Sequence, residues 1–262
     1  MILRATALLI DLDNTLVPEL PNYGAAFAAA CGELARDRGL EITALRDAVF
    51  RAAGERWLAS PVAEYCLRLG IGSPTSLLSD FPGQASELAY LRGWAPDYRQ
   101  DSWRDGLGAA GVVDVDALAV PLSEAFRQRF RERCPPYADA VPAVERLASR
   151  YALGVATNGP ADVQRIKLIV SGLRRFFSVV VASSDVGSGK PERRIFDVAV
   201  AQLRVAPADV LVVGDSLEND VAGARTAGLR CVWVNRAGAD RDPACVPEAE
   251  IRTLADLPAL LG

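Results

Sequence analysis

With 262 residues, half of them hydrophobic, the chain can build a sizeable core in one large or two modest domains. Its net charge of -4 argues against nucleic acid and anionic membrane surfaces as partners. No apolar run approaches the roughly 20 residues of a membrane span, so the cytoplasm is the expected location. Histidine is absent, which excludes Ser-His-Asp and Cys-His catalysis and His-bearing zinc sites and leaves carboxylates, hydroxyls, amides and a few cations. The cysteines, Cys31, Cys66, Cys134, Cys231 and Cys245, form no Cys-x-x-Cys pair and are expected as buried free thiols. Of 29 basic residues only Lys167 and Lys190 are lysine, so a compact ammonium replaces arginine at two places.

In chain order, Ala5 to Ile10 is an apolar run of the kind that makes a strand buried on both faces, and polarity starts abruptly at Asp11. In open α/β sheets, ligands bind at the C-terminal edge that such a strand reaches. Asp11 and Asp13 are two apart and face the same way if the strand continues that far. Two acids that converge need a cation, a shared proton or a divided catalytic role.

After Pro18 and Pro21 the patterns are helical as far as Arg133. Helices are predicted over 22–38 and 43–59, and a third opens at Ser60-Pro61 and closes at Gly70. Residues 71–85 read as loop, followed by helices over 86–92, 96–110 and 116–133, the last with Phe126 and Phe130 inward. Past Cys134-Pro135-Pro136, strands over 152–156, 179–182, 210–213 and 230–234 alternate with helices over 141–150, 162–170, 192–203 and 219–227. Such alternation means a parallel sheet. The fold class is therefore α/β: a Rossmann-like parallel-sheet core with helices on both faces, built from residues 1–16 and 138–262, with an α-helical domain inserted at 17–137.

Each later core strand also ends in polar residues. Thr157-Asn158-Gly159 offers a hydroxyl, an amide and a close backbone approach to a phosphate, or else a simple polar turn. Gly187-Ser188-Gly189-Lys190-Pro191 is no Walker loop, because Ser184 stands where glycine is required and Pro191 follows the lysine. A dinucleotide fingerprint fails as well, at Glu192. What remains is Lys190, an ammonium suited to sit between a phosphoryl oxygen and a carboxylate. Gly214-Asp215-Ser216-Leu217-Glu218-Asn219-Asp220 places two more acids at a strand end and in the following helix. Capping accounts for either acid alone, whereas a hard divalent cation accounts for carboxylates at two ends of one sheet edge.

Taken in order, DLDNT, TN, KP and GDSLEND resemble the four motifs of the haloacid dehalogenase superfamily of phosphohydrolases, and the helical insertion lies where that family carries cap domains. The resemblance implies a phosphatase that hydrolyses a small-molecule phosphate monoester through an aspartyl-phosphate. Asp11 would be the nucleophile and Asp13 the general acid and base, with Lys190 neutralising charge. Asn14, Thr157, Asn158 and Lys190 would bind the phosphoryl group, and Mg²⁺ would be held by Asp11, Asp13 (through its carbonyl), Asp215 and Asp220. The family's dehalogenases lack the second aspartate, because a halide leaves without a proton. The cap would close over the substrate, with Trp57, Trp94, Trp103, Tyr98, Arg92, Arg99 and Arg104 as candidate readers of the leaving group, although aromatics at helical spacing are usually core. The expected partner is a small phosphorylated metabolite, and the expected state of the protein is a monomer or homodimer. A phosphosugar mutase of the same family, a receiver-type phospho-Asp signalling domain and a catalytically idle binding protein remain the alternatives.

Overall fold

Strands form where the apolar runs meet polar residues: β1 (Ala7–Ile10), β2 (Ala152–Thr157), β3 (Val179–Ala182), β4 (Val210–Gly214) and β5 (Arg230–Val234). With β6 (Ala249–Ile251) they make one parallel sheet in the order β3-β2-β1-β4-β5-β6. This computed structural model describes residues 3–261. The sequence reading did not anticipate β6, whose three half-buried or buried residues are too few for alternation to register; it exists because β5 offers an edge to pair with.

β1 is central. All four of its residues are buried, and Ile10 pairs with Val155 on one side and Val213 on the other. The strand order reverses between β1 and β4, and that reversal opens a crevice beyond their carboxyl ends. Ala7 and Leu9 pack in a cluster with Phe196, Ala199 and Ala224. Leu8 and Ile10, fully buried as well, alternate to the opposite face.

Between β1 and β2 lie α1 (Glu19–Asp37), α2 (Ile42–Leu58), α3 (Ala63–Arg68), α4 (Ser86–Ala109), α5 (Val115–Glu132) and α6 (Ala140–Ala148). Later come α7 (Ala161–Val170), α8 (Ser183–Val186), α9 (Arg193–Leu203), α10 (Gly223–Thr226) and α11 (Leu257–Leu261). The chain divides into two units, one taking the residues up to Pro18 and from Pro135 onward, the other Glu19–Cys134. Among the described residues no helix is long and apolar enough to cross a membrane. The five cysteines are free and buried, and burial pushes the Cys31 and Cys66 thiols up to about 12.

The helical unit departs from the sequence reading at α4, one continuous helix through Pro96 where two were expected. A mid-helix proline costs about 3 kcal/mol, but Leu88, Leu91, Ala95 and Tyr98 form one buried face across it, and each large apolar side chain returns roughly 1.5–3 kcal/mol. Trp94 and Tyr98 stack at 4.6 Å over the same turn. Trp57, Tyr98 and Trp103 are core residues, and Trp57 donates its indole N–H to the Ile71 carbonyl at 2.9 Å.

α2 and α4 meet backbone to backbone: a Cβ on Gly106 would lie 2.3 Å from the Cα of Val49. Gly106→Ala must therefore force the helices apart, and the expected loss is about 3 kcal/mol in urea unfolding of the helical unit. An unchanged midpoint would contradict this packing.

Candidate active site at the carboxyl edge of the sheet

The ladder runs one residue past β1, since the Asp11 N–H donates to the Val213 carbonyl at 2.9 Å. The chain then turns through Asn14, which sits at φ 59° in the left-handed region that asparagine tolerates, and the Asn14 N–H donates to the Val17 carbonyl at 2.7 Å. Strand pairing fixes the Asp11 backbone, and the turn separates it from Asp13.

Asp11 is only 6% exposed. The Lys190 ammonium donates to its Oδ1 at 2.5 Å and to Asp220 Oδ1 at 2.7 Å, with Lys190 and Asp220 themselves buried. Burial raises the Asp11 carboxyl well above the usual range; Lys190 opposes that, while Asp220 and Asp215 reinforce it. The Asp215 carboxyl is pushed up to about 6 by burial and by Asp220. Burial also disfavours the Lys190 ammonium, but Asp11 and Asp220 more than compensate and hold it above its ordinary value. One cation faces three acids, so the cluster is short of positive charge.

Oxygen atoms of Asp11, Asp215 and Asp220 lie within 4.8 Å of one another. An all-carboxylate set of this size with uncompensated charge fits Mg²⁺. The Asp13 side chain stands outside this group.

Local structure aims each of these acids. Asp220 lies in a π-helical turn (Leu217–Ala222) whose entry is capped by Ser216 Oγ, which accepts from the Asn219 N–H at 3.0 Å. Asp220 Oδ2 accepts from the Ser216 N–H at 3.0 Å. The carboxylate can lean over the end of β4 only because residue 214 is glycine: a Cβ there would stand 2.2 Å from Asp220 Cγ. The Asp215 carbonyl accepts the Trp233 indole N–H at 2.7 Å, and its Oδ1 accepts the Thr15 hydroxyl at 3.3 Å.

Asp13 belongs to a second set of contacts. Lys167 Nζ donates to its two carboxylate oxygens at 2.6 and 2.8 Å, and Gln164 Nε2 donates to Oδ2 at 2.8 Å. Both partners come from α7, three residues apart on one face, and both are buried. Gln164 Nε2 also reaches Thr157 Oγ1 at 2.6 Å and the Asn158 carbonyl at 2.9 Å. Its Oε1 is buried, with no hydrogen-bond partner among the described residues.

Of the expected phosphate-binding residues, Asn14 is exposed and Thr157 is buried against Gln164. The Asn158 side chain is engaged with the peptide of Lys190: its Nδ2 donates to the carbonyl at 2.9 Å and its Oδ1 accepts from the N–H at 2.7 Å. Asn158 thus sets the position of the lysine backbone.

Sequence reasoning missed Lys167, Gln164 and a brace on the turn after β1. The signal for Lys167 was available, since it is the other of the two lysines. In the brace, the Arg236 guanidinium donates to the Thr15 carbonyl at 3.0 Å and, through two nitrogens, to both Asp139 oxygens at 3.0 Å. Burial works against the Asp139 charge, but bonds from Arg236, Thr253 and the Leu254 N–H hold its carboxyl below the usual range.

The sequence model of one protein family, described as haloacid dehalogenase-like hydrolase, matches residues 5–228. The chain is 36% identical to the phosphoserine phosphatase of Thermus thermophilus over 258 residues, covering 95% of this chain and 96% of that one. Among solved structures it is similar to the 2-haloacid dehalogenase of Pseudomonas syringae pv. Tomato DC3000, with a TM-score of 0.61 and 27% identity across 100% of this chain and 98% of the other. It also shares its fold with the HAD-hydrolase YfnB of Bacillus subtilis, a structure described as bound to magnesium, with a TM-score of 0.63 and 24% identity across 99% and 100% of the two chains.

Proposed function

This chain belongs to the haloacid dehalogenase-like hydrolase family, and we propose that within it the protein is a Mg²⁺-dependent phosphatase that hydrolyses a small phosphate monoester through an aspartyl-phosphate on Asp11. The observation that carries this reading is that the two motif aspartates have separate partners, Lys190 for Asp11 and the Lys167–Gln164 pair for Asp13. Separate environments suit separate roles, one acid as nucleophile and the other as proton carrier. A dehalogenase has no use for the second, since its leaving group departs unprotonated.

In the first step an Asp11 oxygen attacks phosphorus and the ester oxygen leaves with a proton from Asp13. In the second, Asp13 takes a proton from water, which attacks the phosphorus of the acyl phosphate and frees both phosphate and Asp11. Lys190 orients Asp11 and opposes the upward push of burial on its carboxyl, and it is the proposed cation for the transferred group. Thr157 and the backbone amides near Asn14 and Asn158 are the proposed donors to phosphoryl oxygens. Asp11, Asp215, Asp220 and the Asp13 carbonyl are the proposed metal-binding residues. Mg²⁺ bound there would neutralise charge on the phosphoryl oxygens. In this reading the helical unit serves as the cap domain that selects the leaving group. L-Phosphoserine is the first substrate to try, because the relative aligned along nearly the whole chain carries that specificity in its name.

The direct test is phosphate release from a panel of small phosphomonoesters with Mg²⁺ and with EDTA. Release that needs metal supports the proposal; isomerised ester without free phosphate would point to a mutase, and no release from any ester would overturn the phosphatase reading for this class of substrate. Gly214→Ala should lower kcat/KM by about 100-fold, because the added methyl displaces Asp220 from Lys190. Parent-like turnover in that variant would sever Asp220 from the mechanism.

A further inference from the structure

The chain's two lysines are both buried, and each is ion-paired to one of the two motif aspartates. Lys190 is accounted for above, whereas Lys167 and Gln164 fall outside the four motifs that resemble the family's.

We infer that Lys167 and Gln164 are positioning residues that fix the carboxyl group of Asp13 for delivery of the proton to the leaving oxygen. The inference rests on the phosphatase reading. Three donor contacts reach the two Asp13 oxygens, at 2.6 and 2.8 Å from Lys167 and 2.8 Å from Gln164. They come from one face of α7, whereas Asp13 sits on the turn after β1, so a rigid helix sets the rotamer of a group carried on a loop. Gln164 has a defined orientation. Its Nε2 faces a carboxylate oxygen, a hydroxyl and a carbonyl oxygen, and turning the amide over would set oxygen against at least two acceptors. Its amide spans Asp13 and Thr157, with the oxygen turned to a buried position that meets no partner among the described residues. Arginine, the usual cation of this chain, has a planar fork that would not replace a point-like ammonium seated on both oxygens at 1% side-chain exposure.

The assignment separates substrates by what their leaving groups require. An alkyl phosphate such as phosphoserine needs the proton, and a dinitrophenyl phosphate does not. The experiment compares kcat/KM, which reports the steps through cleavage of the ester, on these two esters for the parent, Lys167→Met and Gln164→Met, with circular dichroism to confirm folding. Lys167→Met should lose about 100-fold on phosphoserine, the usual scale of proton-transfer catalysis, and less than about 5-fold on the dinitrophenyl ester. Gln164→Met should show the same selective loss to a smaller degree, and it carries the test if the lysine variant does not fold. Equal losses on both esters would overturn the inference and leave the phosphatase reading standing. A parent that hydrolyses neither phosphoserine nor any other alkyl phosphate, yet cleaves the dinitrophenyl ester, would overturn the need for a proton donor and the inference with it. A parent that cleaves no ester would overturn both.

Discussion

Asp11→Asn is expected to remove phosphate release from every ester the parent cleaves, by about 10⁴-fold or more as for other nucleophile replacements. An amide is a poor nucleophile toward phosphorus and cannot regenerate a carboxylate when water enters. The fold should persist, and the sign of the effect follows from the surroundings. Burial first, with Asp220 and Asp215, raises the Asp11 carboxyl above its unfolded value despite Lys190. A group raised on folding binds its proton more tightly in the native state, so its ionisation weakens the fold as pH rises through the carboxylate range. The amide never ionises and is free of that cost, so the metal-free variant should unfold at neutral pH no more easily than the parent. Turnover within about tenfold of the parent would remove Asp11 as the nucleophile.

Lys190→Met should be the most damaging single substitution in the site. It deletes the ammonium shared by Asp11 and Asp220 at 2.5 and 2.7 Å and leaves those acids and Asp215 facing one another in a buried cluster. Removing one partner of a buried ion pair costs about 3–5 kcal/mol, and activity should fall with it because Asp11 loses the group that orients it. The pH dependence has a definite sign. Lys190 acts to lower the Asp11 carboxyl, so its loss moves that carboxyl further up. Stability should then fall as pH rises above the unfolded carboxylate value of about 4, making the deficit against the parent larger at pH 8 than at pH 5, and Mg²⁺ should return part of it. Urea unfolding at the two pH values measures this; a variant as stable as the parent at pH 8 would contradict the charge balance described for the site.

The strand ends were legible because a strand buried on both faces must be apolar, so the first charge after it marks where it leaves the sheet. That rule located Asp11 and Asp215 at neighbouring strand ends, and the polar run that opens at Thr157 marked the end of β2 between β1 and β3. Lys167 and Gln164 were not legible in this way. Their spacing puts them on one face of α7, but which face meets Asp13 depends on how the helix lies over the sheet edge. The brace of Asp139 on Arg236 joins residues 97 apart with no motif at either end. Continuity of α4 through Pro96 depends on the buried face formed by Leu88, Leu91, Ala95 and Tyr98, whereas local propensity argues for a break. Nothing in the sequence assigns Gly214 a role, and only the position of Asp220 shows why a side chain there is excluded.

The most direct test of the aspartyl-phosphate is to quench the enzyme during turnover of L-phosphoserine, or of the best ester in the panel, treat it with borohydride and sequence the peptide around β1 by mass spectrometry. Borohydride reduces an acyl phosphate to an alcohol, so the account predicts homoserine in place of Asp11, only with substrate and Mg²⁺ present and never in Asp11→Asn. Phosphate release with Asp11 recovered unmodified would contradict it.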